Sequence, residues 1–265
     1  MTPGRPPDPP WVERLRARAA APPLRPRQPL YARRAGAAIG SVEPALAQRL
    51  AGAGLPIAAD RDGWCVGGAL DPGLAAIARW LDGAGFGGRW RDERLAVTDA
   101  AGQALGSIER AAARPLGITT HAVHLVGRDP AGSVWVQQRA LDKATDPGLW
   151  DTLMGGLISA GESIAQTLER ETWEEAGLRI GQLRQIAPLG RITIRRPVRE
   201  GYMVEHIHMF DALVPDGVHP ANQDGEVQRF ECLDRPQLLA RLRADAFTLE
   251  AALILAEALQ TGPSS

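Results

Sequence analysis

Four glutamates and an arginine crowd one short stretch of this 265-residue chain: Glu162, Arg170, Glu171, Glu174 and Glu175. If that stretch is helical, Glu171 lies three residues from Glu174 and four from Glu175, so their carboxylates share one face. Like charges at this spacing destabilise a helix, so a merely solvated acidic face is a poor account of them. A carboxylate cluster on a rigid helix is what a hard divalent cation needs. Mg2+ takes oxygen ligands in octahedral geometry, a few from protein carboxylates and the rest from water and substrate phosphates. The other side of the same helix, Ala165, Leu168, Thr172 and Ala176, reads as a core stripe, and Gly177 directly after it as a helix stop.

The spacing says more than the residue types. Gly156, five residues, Glu162, seven residues, Arg170-Glu171, two residues, Glu174-Glu175, one residue, Gly177 and the aliphatic Leu178 is similar at every fixed position to the Nudix box. Thr172 is the one soft departure, since that family usually has an aliphatic residue there. The resemblance implies hydrolysis of a diphosphate linked to a variable organic group, with Mg2+ or Mn2+ as cofactor and a small-molecule diphosphate as partner. By that resemblance Glu171 and Glu175 are the core metal ligands, and Glu174 and Glu162 complete the site. Glu171 also serves as the base that deprotonates water, and Arg170 holds the carboxylates, because buried glutamates without a cation would protonate. Gly155 and Gly156 are expected to form a turn close to the metals, and Gly161 another just before the helix. One further acid is often recruited from outside the box. Glu226, after a turn and at a strand start, is the first choice for it and Glu205 the second, Glu205 being counted with the substrate-binding candidates. Arg139 and Lys143 lie between a strand and the glutamate helix and are candidates to clamp the diphosphate. Two exposed basic residues without a role are the alternative.

Further segments resemble one branch of the family: Pro115 to Leu125, Arg139 to Gly148, Gly155 to Leu157, Glu205 to Asp211 and Asn222 to Val227. The branch is the Nudix segment fused to thiamine pyrophosphokinase in some yeasts, with stand-alone relatives that carry an N-terminal domain of unknown function. It implies thiamine diphosphate, or its oxidised and damaged forms, as substrate and the monophosphate as product. ADP-ribose, dinucleotides and oxidised nucleotides remain open, since the box does not encode the organic group. A diphosphate isomerase of the isopentenyl type shares Gln137 to Arg139 and Pro147 to Trp150. It needs a cysteine shortly after the tryptophan, where this chain has Met154. A non-catalytic, ligand-binding regulatory module is a third reading, disfavoured by the complete set of box glutamates.

The elements that must position these residues follow from pattern. Residues 1 to about 10 are too rich in proline for helix or central strand. Trp11 to Ala20 reads as a short helix. Strands at Leu30–Ala35 and Ala38–Val42, a helix at Pro44–Ala51, a hairpin across Asp60 to Gly63, a helix at Asp71–Asp82 capped by Asp71, and a hairpin Arg94–Thr98 with Ala104–Glu109 make a small α+β domain. Strands then begin near His121, Ser133, Leu183, Glu205 and Glu226, the stretch Ala140 to Leu153 is a loop, and helices Arg235–Ala244 and Thr248–Leu259 end the chain. The expected fold is α/β (α+β), a mixed sheet sandwiched by helices behind the small α+β domain. The expected division is 1–29, 30–117 and 118–265.

Composition excludes several classes. A net charge of −1 points to neither nucleic acid nor an anionic membrane as partner. No apolar run approaches the length of a membrane helix and no hydrophobic signal core opens the chain, so it reads as cytoplasmic. Cys65 and Cys232 lack metal-ligand spacing and read as reduced, buried thiols. His121, His124, His206 and His208 read as packing or solvent-facing rather than metal ligands. Monomer and homodimer stay equally open.

Overall fold

The computed structural model describes residues 9–32 and 36–261. Residues 1–8 of the proline-rich lead and residues 33–35 of the first expected strand lie outside the described residues, while Pro10, expected in the lead, opens a helix at a first-turn position that proline tolerates. The elements, in order, are α1 (Pro10–Ala19), β1 (Gln28–Ala32), β2 (Ala37–Val42), α2 (Pro44–Gly52), β3 (Ile57–Asp60), β4 (Gly63–Val66), α3 (Leu70–Gly83), β5 (Arg94–Thr98), β6 (Ala104–Glu109), α4 (Arg110–Ala113), β7 (Thr119–Arg128), β8 (Val134–Arg139), β9 (Trp150–Asp151), β10 (Met154–Leu157), α5 (Ile164–Ala176), β11 (Arg184–Val198), β12 (Gly201–Leu213), β13 (Val227–Leu233), α6 (Arg235–Arg243) and α7 (Leu249–Thr261).

The large sheet runs β11-β12-β7-β8-β13, with β10 added to β7 and β9 to β8. Only the β12–β7 pairing is parallel, so the sheet is mixed, as expected. Its two faces bury different partners, because side chains alternate along each strand. Val123 and Leu125 of β7 pack with Leu168 and Ala176 of α5. Ala122 and Val126 pack on the other side with residues of α1, α6 and α7. Helix α1 therefore belongs physically to the core of the large sheet. The first sheet, β2-β1-β4-β3, and the hairpin β5–β6 share a separate core with α2 and α3.

Helix α5 begins with a capping box: the Ser163 hydroxyl accepts from Gln166 N, and Gln166 Oε1 accepts from Ser163 N at 2.9 Å. It ends at Gly177 in the left-handed conformation, φ +63°, where a Cβ would run into the Ala221 carbonyl. The expected core stripe needs one correction. Ala165 is exposed, and Thr167 takes its place beside Leu168, Thr172, Glu175 and Ala176. Thr172 is tolerated in the core because its hydroxyl donates back to the Leu168 carbonyl at 2.6 Å. Thr172→Val is expected to shift stability by no more than about 1 kcal/mol, since the lost bond and the lost helix distortion offset each other. Thermal unfolding checks this, and a loss well beyond that range would mean the hydroxyl is needed in place.

Three expectations are revised. Asp71 does not cap α3: its carboxylate instead accepts from Ser107 N and lies 3.2 Å from Arg94. Residues 140–153 are not all loop, because β9 pairs with β8. Gly155 and Gly156 are not a turn but consecutive residues of β10, paired with His124 and Val123.

Candidate metal and diphosphate site

That last correction explains why both positions are glycine. The direction a Cβ would take at Gly155 is filled by the His124 ring, and at Gly156 by the Glu171 carboxylate. The strand is thus a floor on which α5 sets its acids at backbone distance. Gly155 N–H donates to Glu175 Oε2 at 2.9 Å, and Gln137 Nε2 on β8 donates to the same oxygen at 2.7 Å.

Arg170 gathers the other three glutamates. Its Nε and Nη2 each lie 2.8 Å from a Glu162 oxygen, and its Nη1 lies 2.7 Å from Glu171 Oε1 and 3.0 Å from Glu174 Oε2. Lys143, on the loop after β8, stands 3.5 Å from Glu175 Oε1 and forms an ion pair with Glu226. The structure thus brings Glu162, Glu171, Glu174, Glu175, Glu226, Arg170, Lys143, Gly155 and Gly156 into one neighbourhood.

Two candidates lie apart from it. Glu205 on β12 shares the sheet face of Met203, Ile207 and Met209, which pack toward α1 and α7, opposite the α5 side. There it accepts from Thr120 Oγ1 at 2.9 Å. Arg139 braces its own loop, with Nε and Nη2 donating to the Thr145 carbonyl at 3.3 and 3.0 Å and Nη1 lying 3.3 Å from Asp151 Oδ2. Glu205 thus faces away from the glutamates of α5, and Arg139 directs its hydrogen bonds to Thr145 and Asp151 instead. Their sequence positions suggested otherwise because loop closure and strand face are invisible in one dimension.

The electrostatics separate the acids. Glu162 is held down to about 2, chiefly by its hydrogen bonds from Arg170. Glu171 is pushed up to about 7 by burial and then by the charge of Glu175, which together outweigh the guanidinium beside it. Glu175, 2% exposed, is raised by burial against the opposing pull of Lys143. Burial opposes ionisation of Glu226 too, but Lys143 outweighs it and the net shift is downward.

Among the described residues, no three His, Cys, Asp or Glu side chains close around one point. Arg170 and Lys143 lie between the carboxylates. The residues nevertheless fit a hard divalent cation. The acids are all carboxylates, the two innermost are raised by burial, which a cation would offset, and Gln137 Oε1 beside Glu175 is buried without a hydrogen-bond partner.

Two contributors went unrecognised in the sequence. Gln137 is a fully buried amide on a strand, and that polarity at an inward position was the available signal. His124 Nδ1 meets Thr152 Oγ1 at 2.9 Å; that hydroxyl donates to the Met154 carbonyl, so the imidazole is the donor. Three of the other histidines form a group. His121, His206 and His208 share the face of Gly156 that meets Glu171, with ring centroids 5.4 and 6.0 Å from His121 to the other two. Burial, then its histidine neighbours, push His121 down to about 4, and His206 and His208 are lowered by burial and by Arg191. Cys65 is buried and Cys232 half-buried, and both are free thiols.

Residues 119–253, about half of the chain, match the family model of the NUDIX domain. The chain is 32% identical over 144 residues to Nudix hydrolase 24, chloroplastic, of Arabidopsis thaliana, covering 53% of this chain and 40% of the relative. It is 39% identical over 93 residues to an uncharacterized Nudix hydrolase of Pseudomonas aeruginosa, covering 35% and 55%. An isopentenyl-diphosphate Delta-isomerase of Corynebacterium glutamicum is 28% identical over 160 residues, covering 58% and 84%. The chain spans less than two thirds of the length of the first two. With the domain match extending across the sheet, the glycine floor and the glutamate helix, the chain belongs to the Nudix family.

Proposed function

We propose that this protein is a divalent-metal-dependent diphosphohydrolase that splits a small-molecule diphosphate, with Mg2+ or Mn2+ as its cofactor. The observation that carries the reading is the set of four glutamates at α5 over a glycine strand, three of them held by Arg170 and the fourth by the strand itself and Gln137. Glu171, Glu175, Glu174 and Glu162 would hold the metal, with Glu226 as the acid from outside the box. The ion supplies the positive charge that an anionic diphosphate needs before a nucleophile can approach. Glu171 would also take the proton from the attacking water. Arg170 aims the carboxylates and keeps Glu162 ionised, and Lys143 meets the diphosphate. The division 1–29, 30–117 and 118–265 is proposed with it, α1 lying on the third part.

The segments outside the box make thiamine diphosphate and its oxidised derivatives the first substrates to test. A second reading, a nucleotide diphosphate, rests on the histidine patch. Its uncharged rings, flanked by Arg191, suit a flat neutral or anionic group better than a thiazolium cation. Phosphate-product analysis with Mg2+ or Mn2+ separates them: thiamine diphosphate and its oxidised forms against ADP-ribose, NADH and oxidised dGTP. Monophosphate from the thiamine set supports the first, turnover of nucleotides alone supports the second, and tight binding without turnover would leave a regulatory module.

The metal-free protein should also lose stability as pH rises from about 4.5 to about 7. Glu171 has an unfolded value of 4.5 and a folded value of about 7. The folded state therefore holds the proton more tightly, and ionising it there costs on the order of 3 kcal/mol. In chelator, the Tm advantage of Glu171→Gln over the parent should grow across that window and Mg2+ should erase it. An advantage that does not change with pH would overturn this account.

A further inference from the structure

The N-terminal sheet and hairpin have no task in the proposed chemistry, yet β5 lies against the loop that leads an acid into α5. That loop, residues 157–162, is fixed bond by bond. The Leu157 carbonyl accepts from Arg170 Nη2 at 3.3 Å, and Ile158 N–H donates to the His121 carbonyl at 2.8 Å. Ser159 N–H donates to Glu162 Oε2 at 3.4 Å. The next amide turns to the N-terminal unit instead: Ala160 N–H donates to the Arg94 carbonyl of β5 at 2.7 Å, beside an antiparallel bridge between Leu95 and Ser159. Leu157 packs its side chain against both the large-sheet core and the N-terminal core.

The backbone angles define the turn that follows. Glu162 N–H donates to the Ser159 carbonyl at 3.0 Å, Gly161 has φ +89°, and Ala160 has no positive φ. Ser159 to Glu162 is therefore a type II turn, with glycine at the third position, where φ must be positive. Its last residue is Glu162, whose Oε2 also accepts from Thr167 Oγ1 at 2.9 Å and from Arg170 Nη2 at 2.8 Å. A shift of this turn would move Glu162 and disturb Arg170, which holds Glu171 and Glu174 as well. Groups that orient metal ligands typically change metal affinity by about 10- to 100-fold when they are removed.

We infer that the N-terminal unit and the divalent-cation site are coupled through this turn. Strand β5, seated on Ala160, keeps Glu162 aimed, and a cation held by Glu162 strengthens the seating of β5 in return. The inference rests on the reading of the α5 glutamates as a metal site. Ala160 is a positioning residue, since it touches neither metal nor substrate and acts through Glu162.

Ala160→Pro in the full chain isolates the contact. Proline suits the second position of a type II turn, and Ser159 before it is already extended in its β-bridge, but proline has no N–H to give Arg94. Ala160→Ser keeps the N–H and is the control. Mn2+ binding is measured by calorimetry in the absence of substrate. Ala160→Pro should raise the Kd about tenfold, Ala160→Ser should match the parent, and in a Glu162→Gln background Ala160→Pro should add nothing. In the parent, saturating Mn2+ should slow hydrogen exchange of the Ala160 amide by a similar factor, a readout that needs no variant to fold. An unchanged Kd in a folded Ala160→Pro would reduce the contact to a docking bond and overturn the inference. An equal rise in the Glu162→Gln background, or Ala160 exchange indifferent to Mn2+, would overturn it too. A parent that binds no Mn2+ would overturn it together with the metal reading. Coupling without turnover of any diphosphate would sink the hydrolase reading alone and leave this one standing.

Discussion

Glu175→Gln should lower kcat/KM by about a thousandfold while leaving the protein as stable as the parent or more so. The two effects have one cause. Glu175 is the most deeply buried of the acids, and its ionised form is disfavoured by that burial even with Lys143 nearby. An uncharged amide of the same shape removes the buried charge, so folding does not suffer. It also removes the anionic oxygen that would hold the cation, because the amide oxygen takes the place of Oε2 and accepts from Gly155 N–H and Gln137 Nε2 while an NH2 group takes the place of Oε1. Steady-state rates with Mg2+ and thermal unfolding of the same sample decide the matter. Retained activity would mean that Glu175 is only a structural carboxylate, and the metal assignment would have to move to Glu162 and Glu174. Lost activity with a large loss of Tm would leave the role in catalysis unproven, and Glu171→Gln would then be the comparison.

Gly156→Ala should be nearly as damaging to activity, and for a purely steric reason. The new methyl would occupy the position of the Glu171 carboxylate. The strand cannot retreat, because Gly156 is paired with Val123 in the middle of β7. Glu171 must therefore leave Arg170 and swing away, and a displacement of about 1 Å at a reacting group costs on the order of a hundredfold in rate. Overpacking adds about 1–3 kcal/mol of lost stability. At Gly132, a turn glycine with open space where a Cβ would sit, the same substitution should leave the rate unchanged despite its positive φ. The pair separates crowding of Glu171 from a general cost of replacing glycine, and equal rates for both variants would refute the steric account.

Much of this molecule was legible in one dimension. The hairpin Arg94–Thr98 with Ala104–Glu109 and helix α5 come from local rules: alternation, a turn glycine, a cap and a stop. The family pattern likewise fixed which glutamates meet, because residues three and four apart on a helix are neighbours whatever surrounds them. What it did not convey was why Gly155 and Gly156 are needed. A glycine pair reads as a turn until it is known that another strand and helix press a histidine and a glutamate onto it.

The sequence by itself determined the chemistry of the site: acid types, their spacing and the arginine among them, all within one continuous segment. Tertiary structure decided the rest, because strand face, loop closure and the docking of distant segments depend on contacts across the chain. It put Glu205 on the far face of the sheet, turned Arg139 to its own loop and delivered Lys143 to Glu175. It also laid β5 along the loop that aims Glu162, bringing together residues that no local pattern relates.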